Sequence, residues 1–208
     1  MSEDLITKIK QWNDKKVILV GPSKSLLKDK LGSKIDSFDV VCRMNSAGRP
    51  DVVTEENKHI IGIKKNIWLC KHIAWLSMFG KNDYDEIVGF GQLGDSVINT
   101  LPDITKKACA KGKPTLDKCI KTLKEFNNND SRPSCGILSI FYLLNRFNKV
   151  HICGMDGFKD GHFYGNKFLQ NQNESDALAA KGIGAHNVIK EVEYIEHLIS
   201  KNKIKRLI

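Results

Sequence analysis

Apolar residues along this chain fall in short runs of four or five, set between polar turns and stretches where they recur every three or four positions. Val17-Ile18-Leu19-Val20, Ile67-Trp68-Leu69-Cys70, Glu86 to Phe90 and Val150-His151-Ile152-Cys153 are too short for helices and rich in β-branched residues, so they predict buried strands. Phe38 to Cys42, Ile60 to Ile63 and Ile204 to Ile208 are also read as strands. Leu26, Leu27 and Leu31 recur at helical spacing, as do Leu116, Cys119, Ile120, Leu123 and Phe126. Ile73 to Phe79 predicts a short helix closed by Gly80. The stretch from Ile137 to Leu144 is apolar nearly all round and predicts a deeply buried helix, and His186 to Ser200 predicts an amphipathic one. This alternation predicts an α/β fold: one Rossmann-like domain over 1–208, with a mostly parallel twisted sheet and helices on both faces. The polar run Asn127 to Pro133 is read as a loop within that domain, because both flanks continue the same alternation.

The pattern also locates candidate chemistry. Lys16 to Asn45 reads as strand, Gly21-Pro22-Ser23 turn, helix, and a second strand ending in Arg43-Met44-Asn45. That is the shape of a nucleotide-binding half-domain, where N–H groups at a helix N-terminus suit a phosphate. Pro133-Ser134-Cys135-Gly136 predicts a second anion cradle: Ser134 caps a helix, and the N–H groups of Cys135 and Gly136 face outward. His162 lies in the Gly-rich Asp160-Gly161-His162-Phe163-Tyr164 stretch, past the Val150 strand and on the edge where α/β ligands bind. His186 opens the last helix, whose N-terminus disfavours the imidazolium, and a neutral imidazole is what a general base requires. His59, His72, His151 and His197 are read as structural.

Two familiar motifs do not fit their contexts. Gly89-Phe90-Gly91-Gln92-Leu93-Gly94 spells G-x-G-x-x-G, but Asn99 and Pro102 interrupt the helix that should follow it. Asp83-Tyr84-Asp85 spells the metal-binding D-x-D of many glycosyltransferases, yet it precedes a strand and so falls on the wrong edge of the sheet.

Composition narrows the partners. With 33 basic residues against 24 acidic ones, the net charge of +9 favours an anionic ligand. The basic residues are scattered and no nucleic-acid motif is present, so nucleic acid is not the expected partner. The six cysteines (42, 70, 109, 119, 135 and 153) have no C-x-x-C spacing, which argues against zinc and for a reducing compartment. Residues 1–16 show no signal-peptide pattern, and no run approaches the ~18 apolar residues of a membrane span. The expected location is the cytoplasm, that of a host included.

Taken together, these stretches resemble the sialyltransferases of glycosyltransferase family 29. Val17 to Asn45, ending D-S-F-D-V-V-x-R-M-N, is similar to their large sialylmotif, and Pro133 to Gly154 to their small one. Gly161-His162-Phe163-Tyr164 resembles the His-Tyr-Tyr motif, and His186 to Glu191 matches the terminal H-x4-E. The resemblance implies a metal-independent, inverting transfer from CMP-sialic acid to a glycan hydroxyl, with no cofactor besides the CMP-sugar donor. His186 would be the base and His162 would stabilise the departing CMP phosphate. Gly21, Pro22, Ser23, Asn45, Ser134, Cys135, Gly136 and Gly154 would bind the nucleotide, and Glu191 would orient the last helix. Several residues depart from the family pattern. Pro22 stands where the family has an Asn that contacts the nucleotide, and Cys135 replaces a Thr. Val17 and Phe147 take the places of a disulfide, and the membrane anchor and stem are missing. Transfer of another CMP-activated acidic sugar such as Kdo, an inactive sialyltransferase-like binding module, and a basic nucleic-acid-binding protein remain the alternatives.

Overall fold

The computed structural model describes residues 14–79, 84–91, 100–157 and 186–207. Six strands form one sheet: β1 (Val17–Val20), β2 (Val40–Met44), β3 (Ile67–Cys70), β4 (Glu86–Gly89), β5 (Val150–Cys153) and β6 (Ile204–Arg206). All adjacent pairs are parallel, and their order is β4-β3-β2-β1-β5-β6. The chain therefore steps outward from β1 to β4 and then returns to the other side of β1. Such a reversal is the point at which parallel sheets place ligands, beyond the C-terminal ends of the strands.

Four strands, β1, β2, β3 and β5, are buried or nearly so along their length, as parallel strands covered on both faces must be. Val17, Leu19, Val40, Cys42, Ile67, Leu69, Val150 and Ile152 face one core, which is closed by α5 (Asp103–Asn127), α6 (Cys135–Leu144) and α7 (Val188–Ser200). Ile18, Val20, Val41 and Cys153 face a smaller core on the opposite side, formed with α1 (Leu26–Asp29), α2 (Gly32–Asp36) and α3 (Lys58–Ile61). A third cluster joins Trp68 and Cys70 to Leu76 of α4 (Ile73–Phe79) and to Ala108 and Cys109 of α5. No described helix is long and apolar enough to cross a membrane.

Three local expectations differ from the structure. Ile60 to Ile63 is not a strand: it ends α3, and Gly62 closes that helix at φ 68°. The Asp36 carboxylate accepts the N–H groups of Ile63 and Lys64, while fully buried Arg43 donates to the carbonyls of Ile61 and Lys64. With its backbone engaged by side chains, the segment does not join the sheet ladder. The single helix predicted after β1 is two short ones, broken where Lys30 turns to φ 44°. Helix α5 begins at Asp103 and runs through Pro114, well upstream of the apolar stripe seen from Leu116 onward. It packs so closely on β4 that a side chain at Gly112 would meet the Gly89 carbonyl at 2.0 Å.

The two central strands are locked together just beyond their ends. Gly21 N–H donates to the Cys153 carbonyl, and Ser23 N–H to that of Gly154. Gly154 sits at φ 62°, and a Cβ there would lie 2.6 Å from the Gly21 carbonyl oxygen. Gly154→Ala is expected to lower stability by about 3 kcal/mol, combining left-handed strain with a backbone clash. Gly157→Ala shares the strain (φ 69°) but meets nothing closer than 3.3 Å, so about 1 kcal/mol is expected. Urea denaturation of both variants measures the difference.

Candidate active site

The predicted phosphate cradle after β1 is closed. Helix α1 is four residues long, and the N–H groups at its start turn inward: Ser25 to Ser23 Oγ, Leu26 to the Ser23 carbonyl and Leu27 to that of Lys24. Ser23 is buried, and its hydroxyl donates to Asp156 Oδ2 at 2.6 Å while accepting from Ser25. Pro22 is buried and has no N–H to offer. Gly21 and Gly154 provide the close backbone crossing described above. These four residues converge at the strand-order reversal, and there they tie β1 to β5.

The second cradle is open. Ser134 caps α6, its Oγ accepting from Ile137 N–H, and Leu138 N–H reaches the Ser134 carbonyl. The N–H groups of Cys135 and Gly136 form no hydrogen bond among the described residues, so the positive end of this ten-residue helix retains two donors. Asn45, at the end of β2, lies beside it in the left-handed region at φ 45°. Its Oδ1 accepts the N–H of Lys71 at 3.0 Å and its carbonyl accepts Trp68 Nε1. With Oδ1 engaged, the Asn45 amide presents its NH2 group as a donor. Lys71 follows β3 directly, and its ammonium donates to the Pro133 carbonyl at 2.8 Å, so it spans from Asn45 to the turn that opens α6. Lys71 is not among the residues that the sequence motifs single out. Its position one residue past a buried strand, on the ligand-bearing edge of the sheet, was the available signal.

Cys135 is a buried thiol near the Leu69 carbonyl and Ser139 Oγ, and burial pushes its pKa up to about 12. At neutral pH it is a small uncharged side chain rather than a nucleophile. All six cysteines are free and buried. Among the described residues, no group of three His, Cys, Asp or Glu side chains is arranged to hold a metal.

The last helix reaches the same turn from the other side. His186 Nδ1 lies 2.6 Å from the Arg132 carbonyl; a carbonyl only accepts, so Nδ1 carries the proton and Nε2 is the basic nitrogen of the neutral ring. Asn187 caps α7 by accepting from Lys190 N–H. One turn on, Glu191 is buried and accepts both from Ser134 N–H at 2.7 Å and from Ser134 Oγ. His186, Glu191, Ser134, Cys135, Gly136, Asn45 and Lys71 therefore surround one helix N-terminus at the C-terminal edge of the sheet. His162 and the stretch around it fall at 158–185, outside the described residues, as do Asp83 and Gln92 to Gly94.

Burial raises the Glu191 carboxyl to about pH 7, against the lowering effect of the two Ser134 hydrogen bonds and the Lys71 charge. The folded chain thus holds a proton that the unfolded chain releases near pH 4.5. The stability this gives is complete below that pH and is lost as pH rises through about 7. Relative to Glu191→Gln, which cannot ionise, the wild-type protein is expected to lose about 3 kcal/mol between pH 4.5 and pH 8, measured by urea unfolding.

No family model matches the chain. Over 196 residues it is 26% identical to a CMP-N-acetylneuraminate-beta-galactosamide-alpha-2,3-sialyltransferase 1 of Gallus gallus, a match that covers 90% of this chain and 56% of that protein. The chain therefore spans little more than half the length of this curated relative. A mammalian sialyltransferase crystallised with Gal-beta-1-3GalNAc-ortho-nitrophenol superposes with a TM-score of 0.60 at 18% identity, covering 98% of this chain and 78% of that one. A second crystal structure of a mammalian sialyltransferase gives the same values. The chain resembles the sialyltransferases of family 29 in sequence and has the sialyltransferase fold.

Proposed function

We propose that this protein transfers sialic acid from CMP-sialic acid to a glycan hydroxyl, without a metal and with inversion at the sugar carbon. The observation that carries this reading is the convergence of His186 on the open N-terminus of α6. His186, with a fixed tautomer, bonds to the Arg132 carbonyl two residues before the Ser134 cap, and the N–H groups that follow the cap suit an anion.

In the proposed reaction, His186 Nε2 takes the proton of the acceptor hydroxyl as that oxygen bonds to the anomeric carbon. The bond from that carbon to the phosphate oxygen breaks on the opposite side, and CMP leaves with the electron pair. In-line displacement inverts the configuration. The departing phosphate gains negative charge, and the Cys135 and Gly136 N–H groups, already oriented by Ser134 and Glu191, are positioned to stabilise it without reorganising. Asn45 offers its amide NH2 to the nucleotide. His162 has the assisting role that the family resemblance implies. CMP departs with a single phosphate, so backbone donors and side chains can supply the stabilisation that a metal gives to a diphosphate. The six reduced, buried cysteines fit a reducing compartment, and we assign the protein to the cytoplasm, that of a host included.

A second reading keeps the nucleotide site without turnover. It draws on the β1 turn, where Pro22 lacks an N–H and the Ser23 hydroxyl is engaged by Asp156.

CMP in the presence of EDTA is expected to raise the melting temperature. His186→Ala is expected to lower transfer by at least 100-fold while changing CMP affinity less than threefold. No stabilisation by CMP defeats the proposal, and CMP stabilisation without release of CMP from CMP-sialic acid, with or without acceptors, selects the binding module. Substituting CMP-Kdo as donor checks the choice of sugar.

A further inference from the structure

Lys71 is the one lysine among the described residues whose ammonium ties the C-terminal end of a sheet strand to the turn that opens α6. It forms no ion pair among the described residues, and its only hydrogen bond from the ammonium goes to the Pro133 carbonyl. An ammonium has three protons, so two donors remain. The nearby carboxylate, Glu191, is already engaged by both donors of Ser134. A carbonyl could be tied equally well by an uncharged donor, whereas partly burying a cation costs solvation that no contact ion pair among the described residues offsets. Burial presses the Lys71 ammonium below the usual lysine range; the Glu191 carboxyl acts against this and Arg132 adds to it. Beside it are the two unengaged N–H groups of α6, and its own N–H fixes the Asn45 side chain.

We propose that Lys71 binds the anionic part of the donor substrate, its ammonium completing an ion pair that the protein leaves open. This rests on the nucleotide-sugar reading above and extends it. The CMP-sugar donor contains two anions of suitable chemistry, the phosphate and the sugar carboxylate. Lys71 thus holds together the two halves of the site, Asn45 on β2 and the 133–136 turn, and supplies the positive charge that complements the ligand.

Titration of cytidine, CMP and CMP-sialic acid into wild-type protein, Lys71→Met and Lys71→Arg tests this. Lys71→Met is expected to weaken CMP binding by roughly 10- to 100-fold, the range of a charge-assisted hydrogen bond, and to leave cytidine binding within threefold. The salt dependence of CMP binding should flatten in Lys71→Met and be largely restored in Lys71→Arg. If CMP-sialic acid loses more than CMP, the carboxylate is the partner; equal losses assign the phosphate. Equal weakening of cytidine and CMP would show that Lys71 only supports the turn and would overturn the proposal, while the nucleotide-sugar reading would stand. A wild-type protein that does not bind CMP defeats both. Comparing the circular dichroism and melting temperatures of the variants separates loss of folding from loss of charge, and Lys71→Arg, which keeps the charge, remains informative if Lys71→Met does not fold.

Discussion

The carboxylate of Glu191 accepts both the N–H and the hydroxyl of Ser134, and through this pair the last helix is anchored to the first turn of α6. The N–H group belongs to a helix N-terminus, where backbone donors lack intrahelical partners and the dipole favours negative charge. The position is buried, so the same carboxylate meets a desolvation penalty that raises its proton affinity toward neutrality. His186 lies five residues before Glu191 and bonds to Arg132, two residues before Ser134. Three bonds from the last helix and the residue before its cap thus grip one short loop, and the orientation of the imidazole follows from them.

A second constraint acts at the centre of the sheet. The chain beyond β1 and the chain beyond β5 cross so closely that neither Gly21 nor Gly154 has room for a side chain. The crossing draws the Gly21-Pro22-Ser23 turn inward, and its N–H groups become engaged within the protein. A turn that resembles a phosphate loop therefore acts mainly as a clamp, and the helix end that keeps open N–H groups is one strand over, between β2, β3 and α6. Ser23 and Asp156 reinforce the clamp from the side-chain level.

The core beneath the site depends on apolar packing alone. Val17 and Phe147, which stand where the resembling family has a disulfide, are both buried in the large cluster under α6. Burial of two such side chains contributes stabilisation of the order of 1.5–3 kcal/mol each. That is comparable with a disulfide's usual 2–4 kcal/mol, and it does not depend on an oxidising environment. On the other flank, Gly112 lets α5 approach β4 closely.

Strands β1, β3, β4 and β5, helix α6 with its Ser134 cap, and helix α7 were legible in the sequence, because burial on one or both faces imposes a period that a single chain records. So were the open N–H groups of Cys135 and Gly136 and the positions of Asn45, His186 and Glu191, each tied to the end of a recognisable element. The Ile60–Ile63 segment was not legible, since whether it forms a ladder or a capped turn depends on Asp36 and Arg43, which are far away in sequence. Nor could the sequence distinguish the closed cradle at Gly21 from the open one at Ser134: both show the same local signature, and they differ in the crossing with Gly154 and in the inward bonds of the Ser25, Leu26 and Leu27 N–H groups. Lys71 looks like any other surface lysine until β3 delivers it beside Asn45 and Pro133. The sequence by itself determined which segments fold and which helix ends could receive an anion, because these are local properties of period and capping. The tertiary structure alone decided which of those ends stays open and which charge lies beside it, because hydrogen-bond donors are engaged or left open by partners distant along the chain.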